Sequence, residues 1–502
     1  MDLRYLEKIF KKKVLIIFLL ILSLGTFLRL HSLGSKSLWL DEIGEVLVAK
    51  TIIPDLFPSN IATIQGIYYH LSPPLDYILL HFFLVFGTSE FIIRLPAAIY
   101  GVLSILVIFF VGKEMYGEKE GLICSFLLAI CPKALYFSQE ARMYSLFLLL
   151  SLLSLFIFHR INKSCNTWKY WVLLTIVNAA IIYTHYFGFF VLLIEGMYLG
   201  GNLIRLIRSG PETAFLRQKM NLFLYFCVSC LSALALFLPW YSIFYYQVSA
   251  NRFFLSYGLH PNLTSVKDLG AFFLFDSWPI ALLFFVFILA SVLSFPKHRE
   301  PDLMLYTWIC VPVLVVAILT WAHGPVTTPR NMIFILPQFL VLVSHGLIQV
   351  SNYLEPLVGN GISSPAIGKK FLMGCLILIL VLSVVPIQNE YLSKKEDWRG
   401  IGQFLERNAG DADLVVFIGP GVSNLQFYYP GPEKNISAGF DSFSPDRFPP
   451  AHTKVWYVVS PLYKKAEQEK IKSQLNNTFF LEDESLGIYS TGKSFLKSSQ
   501  DF

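Results

Sequence analysis

Asp41 and Glu42, in Ser37-Leu38-Trp39-Leu40-Asp41-Glu42-Ile43-Gly44-Glu45, are adjacent carboxylates placed directly after the first strongly apolar run. A carboxylate in that place can take a proton from an attacking hydroxyl. Equally, acidic residues open interfacial helices, where they favour the positive end of the helix dipole. In Tyr136-Phe137-Ser138-Gln139-Glu140-Ala141-Arg142-Met143-Tyr144, two apolar runs meet with almost no loop between them. Read as one helix, Tyr136, Glu140 and Tyr144 share a face while Arg142 points elsewhere. Arg142 suits a phosphate, and Glu140 a sugar hydroxyl, a metal or a partner cation; the alternative is an ordinary surface ion pair. Arg330, behind Pro329, opens a later apolar run beside exposed backbone amides, which is either a phosphate contact or an interfacial anchor. Arg29 and Arg94 carry the same two readings. His185, in Tyr183-Thr184-His185-Tyr186, is a metal ligand, a proton carrier or an aromatic-belt residue. His70 and Ser72 precede Pro73-Pro74, which forces an extended entry into the next segment. Glu195 lies inside an apolar run and is expected to face a helix-bundle interior.

The elements that must position these groups are set by composition. The 502 residues are 55% hydrophobic, 16% aromatic and only 15% charged, against about a quarter charged in soluble proteins. Mean hydropathy is +0.57. The chain therefore reads as a polytopic membrane protein. Its net charge of +6 is no nucleic-acid signal, because the basic residues sit in short loops between apolar runs. Seven cysteines lie mostly within those runs, which argues against a disulfide or zinc framework. Eleven stretches approach the roughly 17–25 residues that cross hydrocarbon: 13–30, 91–111, 119–136, 143–159, 168–184, 186–204, 220–243, 269–294, 303–322, 331–350 and 370–388. The basic segment before the first has no small-residue cleavage site after it, so the first span is expected to stay uncleaved. The segment 74–87 is too short to cross and is expected to be interfacial or re-entrant. Keeping it out of the count places eighteen Lys and Arg in the loops and tail on the side of the N-terminus against eight in the opposite loops, so that side is cytoplasmic. Asp41-Glu42, Pro73-Pro74, Glu140-Ala141-Arg142, His185 and Arg330 then all fall outside.

Beyond Pro386 the composition turns polar. Asp397–Asn408 and Leu462–Leu475 read as helices. Leu414–Ile418, Val455–Val459, Phe479–Leu481 and Ile488-Tyr489 read as strands, which predicts a small external α/β domain over 389–502 behind a membrane domain over 1–388. The first external loop, 31–90, is assigned to the membrane domain. Gly419-Pro420-Gly421 reads as a strand-end turn rather than a phosphate loop. The sequons at Asn262, Asn435 and Asn476 carry no weight on their own.

Leu38-Trp39-Leu40-Asp41-Glu42, Ser72-Pro73-Pro74-Leu75-Asp76-Tyr77, Glu90-Phe91-Ile92-Ile93-Arg94-Leu95-Pro96, Ser138-Gln139-Glu140-Ala141-Arg142-Met143-Tyr144, Tyr183-Thr184-His185-Tyr186 and Arg330-Asn331-Met332 occur in that order. This ordered set resembles the GT-C superfamily of membrane glycosyltransferases, in the branch of the protein O-mannosyltransferases and the bacterial lipid A aminoarabinose transferases. Glu396-Asp397-Trp398-Arg399 is similar to bacterial members. Asp76 departs from the aromatic or small residue usual after Pro-Pro-Leu.

The resemblance implies an α-helical polytopic GT-C fold of about 11 transmembrane helices with interfacial helices and the small C-terminal α/β domain. It implies transfer of a sugar from a polyprenyl-phosphate donor, by inverting displacement, to a lipid, glycan or protein acceptor. Transfer would occur on the outer face of a bacterial plasma membrane. By the same resemblance Asp41 is the catalytic base, Glu42 supports it or contacts the acceptor or a metal, and Arg142 and Arg330 hold the donor phosphate. Glu140, His185, Tyr144 and His70 are further site candidates. No cofactor is implied with certainty, and a divalent metal is open because its ligand set is not legible. Two other readings stand beside this one: a transporter or flippase of lipid-linked sugars, and a non-catalytic envelope-assembly protein.

Overall fold

The structure, a computed structural model, describes residues 12–50, 72–163, 167–210, 213–249, 273–295, 297–323, 328–357, 366–393 and 395–411. In the tail it describes 413–419, 421–429, 436–439, 454–462, 468–469, 471–472, 480–483 and 486–490. His70, the three sequons and most of the helix expected over 462–475 lie outside the described residues. Two compact units emerge: Met1–Leu33, Ala49–Thr88 and Ile92–Leu392 form one, and Gly34–Val48, Ser89–Phe91 and Ser393–Phe502 form the other. This division differs from the expected cut at 388, since two pieces of the first loop group with the tail.

The first unit is a helical bundle. Its elements are α1 (Lys12–Leu30), α3 (Leu75–Phe83), α4 (Glu90–Met115), α5 (Glu118–Ile130), α6 (Pro132–Ser138), α7 (Tyr144–Lys163), α8 (Trp168–Thr184) and α9 (Gly188–Ser209). They continue with α10 (Thr213–Phe237), α11 (Tyr241–Ser249), α12 (Trp278–Ser294), α13 (Arg299–His323), α14 (Leu336–Leu357) and α15 (Ala366–Leu392); α2 (Leu40–Ala49) lies mostly in the other unit. Every stretch read as a span is helical over most of its described part. Among the described residues, eight helices are long and apolar enough to cross a membrane, and the bent pair α5–α6, taken as one span, makes nine. The other two, α8 and α12, have 17 residues each, the lower limit for crossing. The short segment is α3 with a 3₁₀ turn at Leu84–Phe86, and its length falls well below that limit.

Packing follows from burial. The segment Pro329–Leu354 is 83% buried against 17% for Ile367–Leu392, which makes α14 the core helix and α15 an outer one. Close approach of α14 to α12 depends on Gly346, where any side chain would collide with the carbonyl of Phe287. Between α5 and α6 the chain bends by 62°. Pro132, at the first position of α6, holds Cys131 extended at φ −67°, ψ 118° and ends α5. The freed carbonyls of Leu128 and Ala129 each accept from the Arg29 guanidinium at 3.1 Å. Arg29 is fully buried, so its charge is spent on a helix end. Arg94, 2% exposed, likewise donates to Leu33 O at 3.1 Å.

The second unit contains α16 (Trp398–Asn408), β1 (Leu414–Ile418), α17 (Val422–Tyr428), β2 (Ile436–Gly439), β3 (Val455–Val459), β4 (Phe480–Asp483) and β5 (Ile488–Ser490). The sheet order is β2-β1-β3-β5-β4. Strand β1 is parallel to β2 and β3, while β5 is antiparallel to β3 and β4. All five residues of β1 are buried, as a central strand with covered faces requires. Asp397 caps α16, accepting from Gly400 N at 2.9 Å. Gly419 and Gly421, at φ 118° and 96°, turn the chain from β1 into α17; both conformations favour glycine.

Candidate functional site

In the first unit the site grows from a break in the chain. Residues 139–143, where the spans read over 119–136 and 143–159 meet, are turns and bends between α6 and α7. Tyr136 OH donates to Glu140 Oε1 at 3.3 Å. The cause of the break is Gln139. Its amide nitrogen faces the carbonyls of Leu28, Arg29 and His31 at 3.2, 3.1 and 2.7 Å, satisfying the orphan end of α1 instead of prolonging α6. Glu140 is left 2% exposed and Arg142 half-buried. Tyr144, 2% exposed, begins α7.

Arg330 lies in a 3₁₀ turn over Pro329–Ile335 that leads into α14. Its guanidinium carbon stands 5.8 Å from the centre of the Tyr144 ring, a cation–π arrangement that holds the charge beside α7. His185 ends α8, with its backbone extended at φ −154°, ψ 137°. Its ring stacks on Phe147 at 4.9 Å and meets Phe187 at 5.5 Å and Tyr144 at 6.0 Å. Nδ1 accepts the Phe187 N–H at 3.0 Å, which assigns the proton to Nε2. Burial pushes the imidazole down to about 3; a hydrogen bond with Asn331 opposes that, and the charges of Arg142 and Arg330 add to it. His185 is thus a neutral ring whose charged form is disfavoured by burial and by the charges of Arg142 and Arg330. The structure brings Arg142, Tyr144, His185 and Arg330 into one electrostatic neighbourhood and adds Asn331, which carries no distinctive local signal of its own.

Asp41 and Glu42 belong to the second unit, in the first turn of α2. They differ sharply. Asp41 is half-buried, whereas Glu42 is fully enclosed. Glu42 Oε2 accepts from Lys395 Nζ at 3.0 Å and from Trp39 N at 3.4 Å. Close by, Arg399 pairs with Glu90 at 3.2 Å and its backbone N–H donates to Ser37 Oγ at 3.2 Å. Tyr428 OH accepts from Leu38 N at 2.8 Å and donates to Glu90 Oε1 at 3.1 Å. Burial raises the Tyr428 phenol to about 12, so it stays a donor at neutral pH.

Three other groups take structural places. Glu195 is buried as expected and accepts from Ser154 Oγ at 2.6 Å and Asn178 Nδ2 at 2.8 Å. Asp76 is 7% exposed on α3. Lys133 joins Glu390 at 2.7 Å and Asp276 at 2.9 Å, a triad that ties the start of α6 to the end of α15 and the entry to α12. Among the described residues, no three of His, Cys, Asp and Glu are placed to hold a metal ion, and the six described cysteines are free.

A long apolar bundle, a short non-crossing helix after a double proline, and cations at the junctions of its spans define a class. The chain has the GT-C fold of membrane glycosyltransferases. It superposes on ArnT from Cupriavidus metallidurans in the apo state with a TM-score of 0.58, and on the same protein bound to undecaprenyl phosphate with 0.60. Each match covers 95% of this chain and 98% of ArnT at 13% identity. Residues 71–243 match the family described as dolichyl-phosphate-mannose-protein mannosyltransferase. By sequence, no curated protein matches the chain.

Proposed function

We propose that the protein is a glycosyltransferase that takes a sugar from a polyprenyl-phosphate carrier and passes it, with inversion, to an acceptor outside the cytoplasm. The observation that carries this reading is the pair Arg142 and Arg330 around a neutral imidazole, in a fold shared with a protein crystallised with undecaprenyl phosphate. A departing lipid phosphate gains charge as the sugar leaves, and two guanidiniums with fixed surroundings stabilise that charge best in the transition state. His185, kept neutral with its ring engaged by Phe187 N–H and Asn331, adds no third positive charge to the site. Asp41 is assigned the acceptor's proton, because it keeps exposed surface while Glu42 is sealed against Lys395. Glu42 therefore supports rather than reacts. Glu140, enclosed beside Tyr136, shapes the Arg142 turn. The described residues offer no three-ligand set for a divalent metal, and no step is routed through one. The 393–502 segment is assigned to the outer face with the site.

A transporter or flippase would place its working charges at mid-membrane on broken helices. Here Glu195, the charge lying inside α9, is occupied by Ser154 and Asn178, while the cations stand at helix junctions. The test is transfer of labelled sugar from a panel of polyprenyl-monophosphate sugars in membranes containing the wild type or Asp41→Asn. Loss of transfer by about 10²-fold or more is expected, with folded protein at normal levels. Wild-type rates in the variant would remove Asp41 from the chemistry.

A further inference from the structure

We propose that the groove between α8 and α10 binds one anionic phospholipid, with an acyl chain between the two helices and the phosphate held by Lys169 and Arg217. This site is separate from the one assigned to the sugar donor, and its test needs no sugar transfer.

Three contacts fix how the two helices lie. The rings of Trp171 and Tyr225 are 6.0 Å apart, Thr175 Oγ1 is 2.8 Å from Ser229 Oγ, and Tyr183 OH donates to Leu236 O at 2.8 Å. Residue numbers rise together along both helices, so α8 and α10 run parallel and enter the bilayer from the same face. Helix α8 starts at Trp168 and is capped at its far end by His185. The mouth at Trp168 and the site cations around His185 therefore belong to opposite ends of one span. A cavity of about 460 Å³ lies between residues 168–176 of α8 and 225–232 of α10, a volume within the range of small-molecule sites. From 168 to 176 the helix rises about 12 Å, most of one leaflet of a core about 30 Å thick.

The lining suits hydrocarbon. Tyr225 and Val228, 50% and 62% exposed, present apolar surface along α10. The polar groups at the floor satisfy one another. Thr175 donates to Trp171 O at 2.9 Å, so Ser229, 4% exposed, donates to Thr175. Neither hydroxyl needs a partner from an entering chain. Trp168, 71% exposed at the first position of α8, marks the level of the headgroups, where tryptophan is enriched.

That level is basic. Lys169 follows Trp168, and Arg217 stands eleven positions before Val228, about three turns, so Arg217 and Val228 share a side of α10. Side chains lean towards the N-terminus of their helix, which carries both cations away from the hydrocarbon. Lys169 and Arg217 are exposed, and among the described residues neither makes a hydrogen bond, an ion pair or a ring contact. Their neighbours are already engaged: Arg160 pairs with Glu114 at 2.5 Å, and Lys219 Nζ stands 5.6 Å from the centre of the Phe215 ring. Two uncommitted cations at the mouth of an apolar groove complement a phosphate diester joined to an acyl chain. A zwitterionic headgroup, which brings its own ammonium, gains less from them.

Non-denaturing mass spectrometry of the purified full chain, titrated with phosphatidylglycerol or with phosphatidylcholine of the same acyl length, tests the assignment. The wild type is expected to retain one phosphatidylglycerol at a lower concentration than phosphatidylcholine. Lys169→Gln and Arg217→Gln are each expected to weaken phosphatidylglycerol about fivefold and to leave phosphatidylcholine unchanged. Both are exposed substitutions that leave the core intact. Val228→Trp, which fills the groove, is expected to weaken both lipids. The proposal is overturned if the wild type holds the two lipids equally, or if the charge variants keep phosphatidylglycerol at wild-type strength. Retention unchanged in Val228→Trp would show headgroup contact without an acyl chain in the groove, and also overturns it. Undecaprenyl phosphate binding more tightly than phosphatidylglycerol, with that binding lost in Val228→Trp, would assign the groove to the polyprenyl carrier instead.

Discussion

The chemistry at the level of single residues depends on which groups are charged, and His185 is the clearest case. Its imidazole sits below its ordinary value of 6.5, at about 3, through burial first and the charges of Arg142 and Arg330 after it. Between those two values the unfolded chain binds a proton that the folded chain refuses, so folding grows weaker as pH falls through that window. The contribution is complete above 6.5 and is lost on the way down to about 3. Thermal unfolding in detergent is expected to show a melting temperature that declines from pH 6.5 towards pH 4. His185→Asn is expected to flatten that slope while lowering the melting temperature at pH 7, since Asn fills less of the ring's place between Phe147 and Phe187. An unchanged slope in the variant would mean that other buried groups set the acid limit. Burial also sorts the sequence candidates. Arg29 and Arg94 satisfy backbone carbonyls, and Glu42 neutralises Lys395. None of the three is available to a substrate.

At the scale of elements, the positions of the spans were legible because a hydrocarbon-crossing helix needs only length and apolarity, both local properties. The strands β1 and β3 were legible for a similar reason, as short Val-rich runs between turn residues. The break at residues 139–143 was legible as the meeting of two apolar runs, but its cause was not. Gln139, Glu140, Ala141, Arg142 and Met143 are all good helix formers, and only the distant carbonyls of α1 draw Gln139 out of the helix. The Glu42–Lys395 pair was illegible too, since 353 positions separate its members and no local pattern reports such a contact. Strand β2 and helix α17 were missed because each is short, with 4 and 7 residues. Gly346 supplies the prediction at this scale. Replacing a mid-helix glycine by alanine gains about 1 kcal/mol in helix propensity. Here the new methyl would meet the rigid Phe287 carbonyl, and overpacking costs about 1–3 kcal/mol even against movable side chains. Collision wins, so Gly346→Ala is expected to lower the melting temperature, whereas Gly374→Ala, with open space around it, is not. Differential scanning fluorimetry of the two variants in parallel makes the comparison.

For the molecule as a whole, the decisive question is parity. Among the described residues eight helices are long and apolar enough to cross, and α5–α6 makes up to a ninth; counting the 17-residue α8 and α12 as well gives eleven. An odd total would place residues 393–502 on the face opposite the N-terminus; losing either 17-residue helix would reverse that. Loop charge argues for eleven. Arg160, Lys163 and Lys169 flank the start of α8, and Lys297 and Arg299 follow α12, so both helices carry their basic ends on the side already assigned to the cytoplasm. Were α8 to stay out of the membrane, Arg205 and Arg208 after α9 would move outside, against the same rule. Alkaline phosphatase, active only outside the cytoplasm, is therefore expected to be active when fused after Leu392 and inactive when fused after Lys113. Green fluorescent protein at the same two points should give the reverse. Phosphatase inactive after Leu392 would mean an even number of crossings. It would put the second unit, with Asp41 and Glu42, on the cytoplasmic side, where a transferase using an outward-facing lipid donor could not employ it.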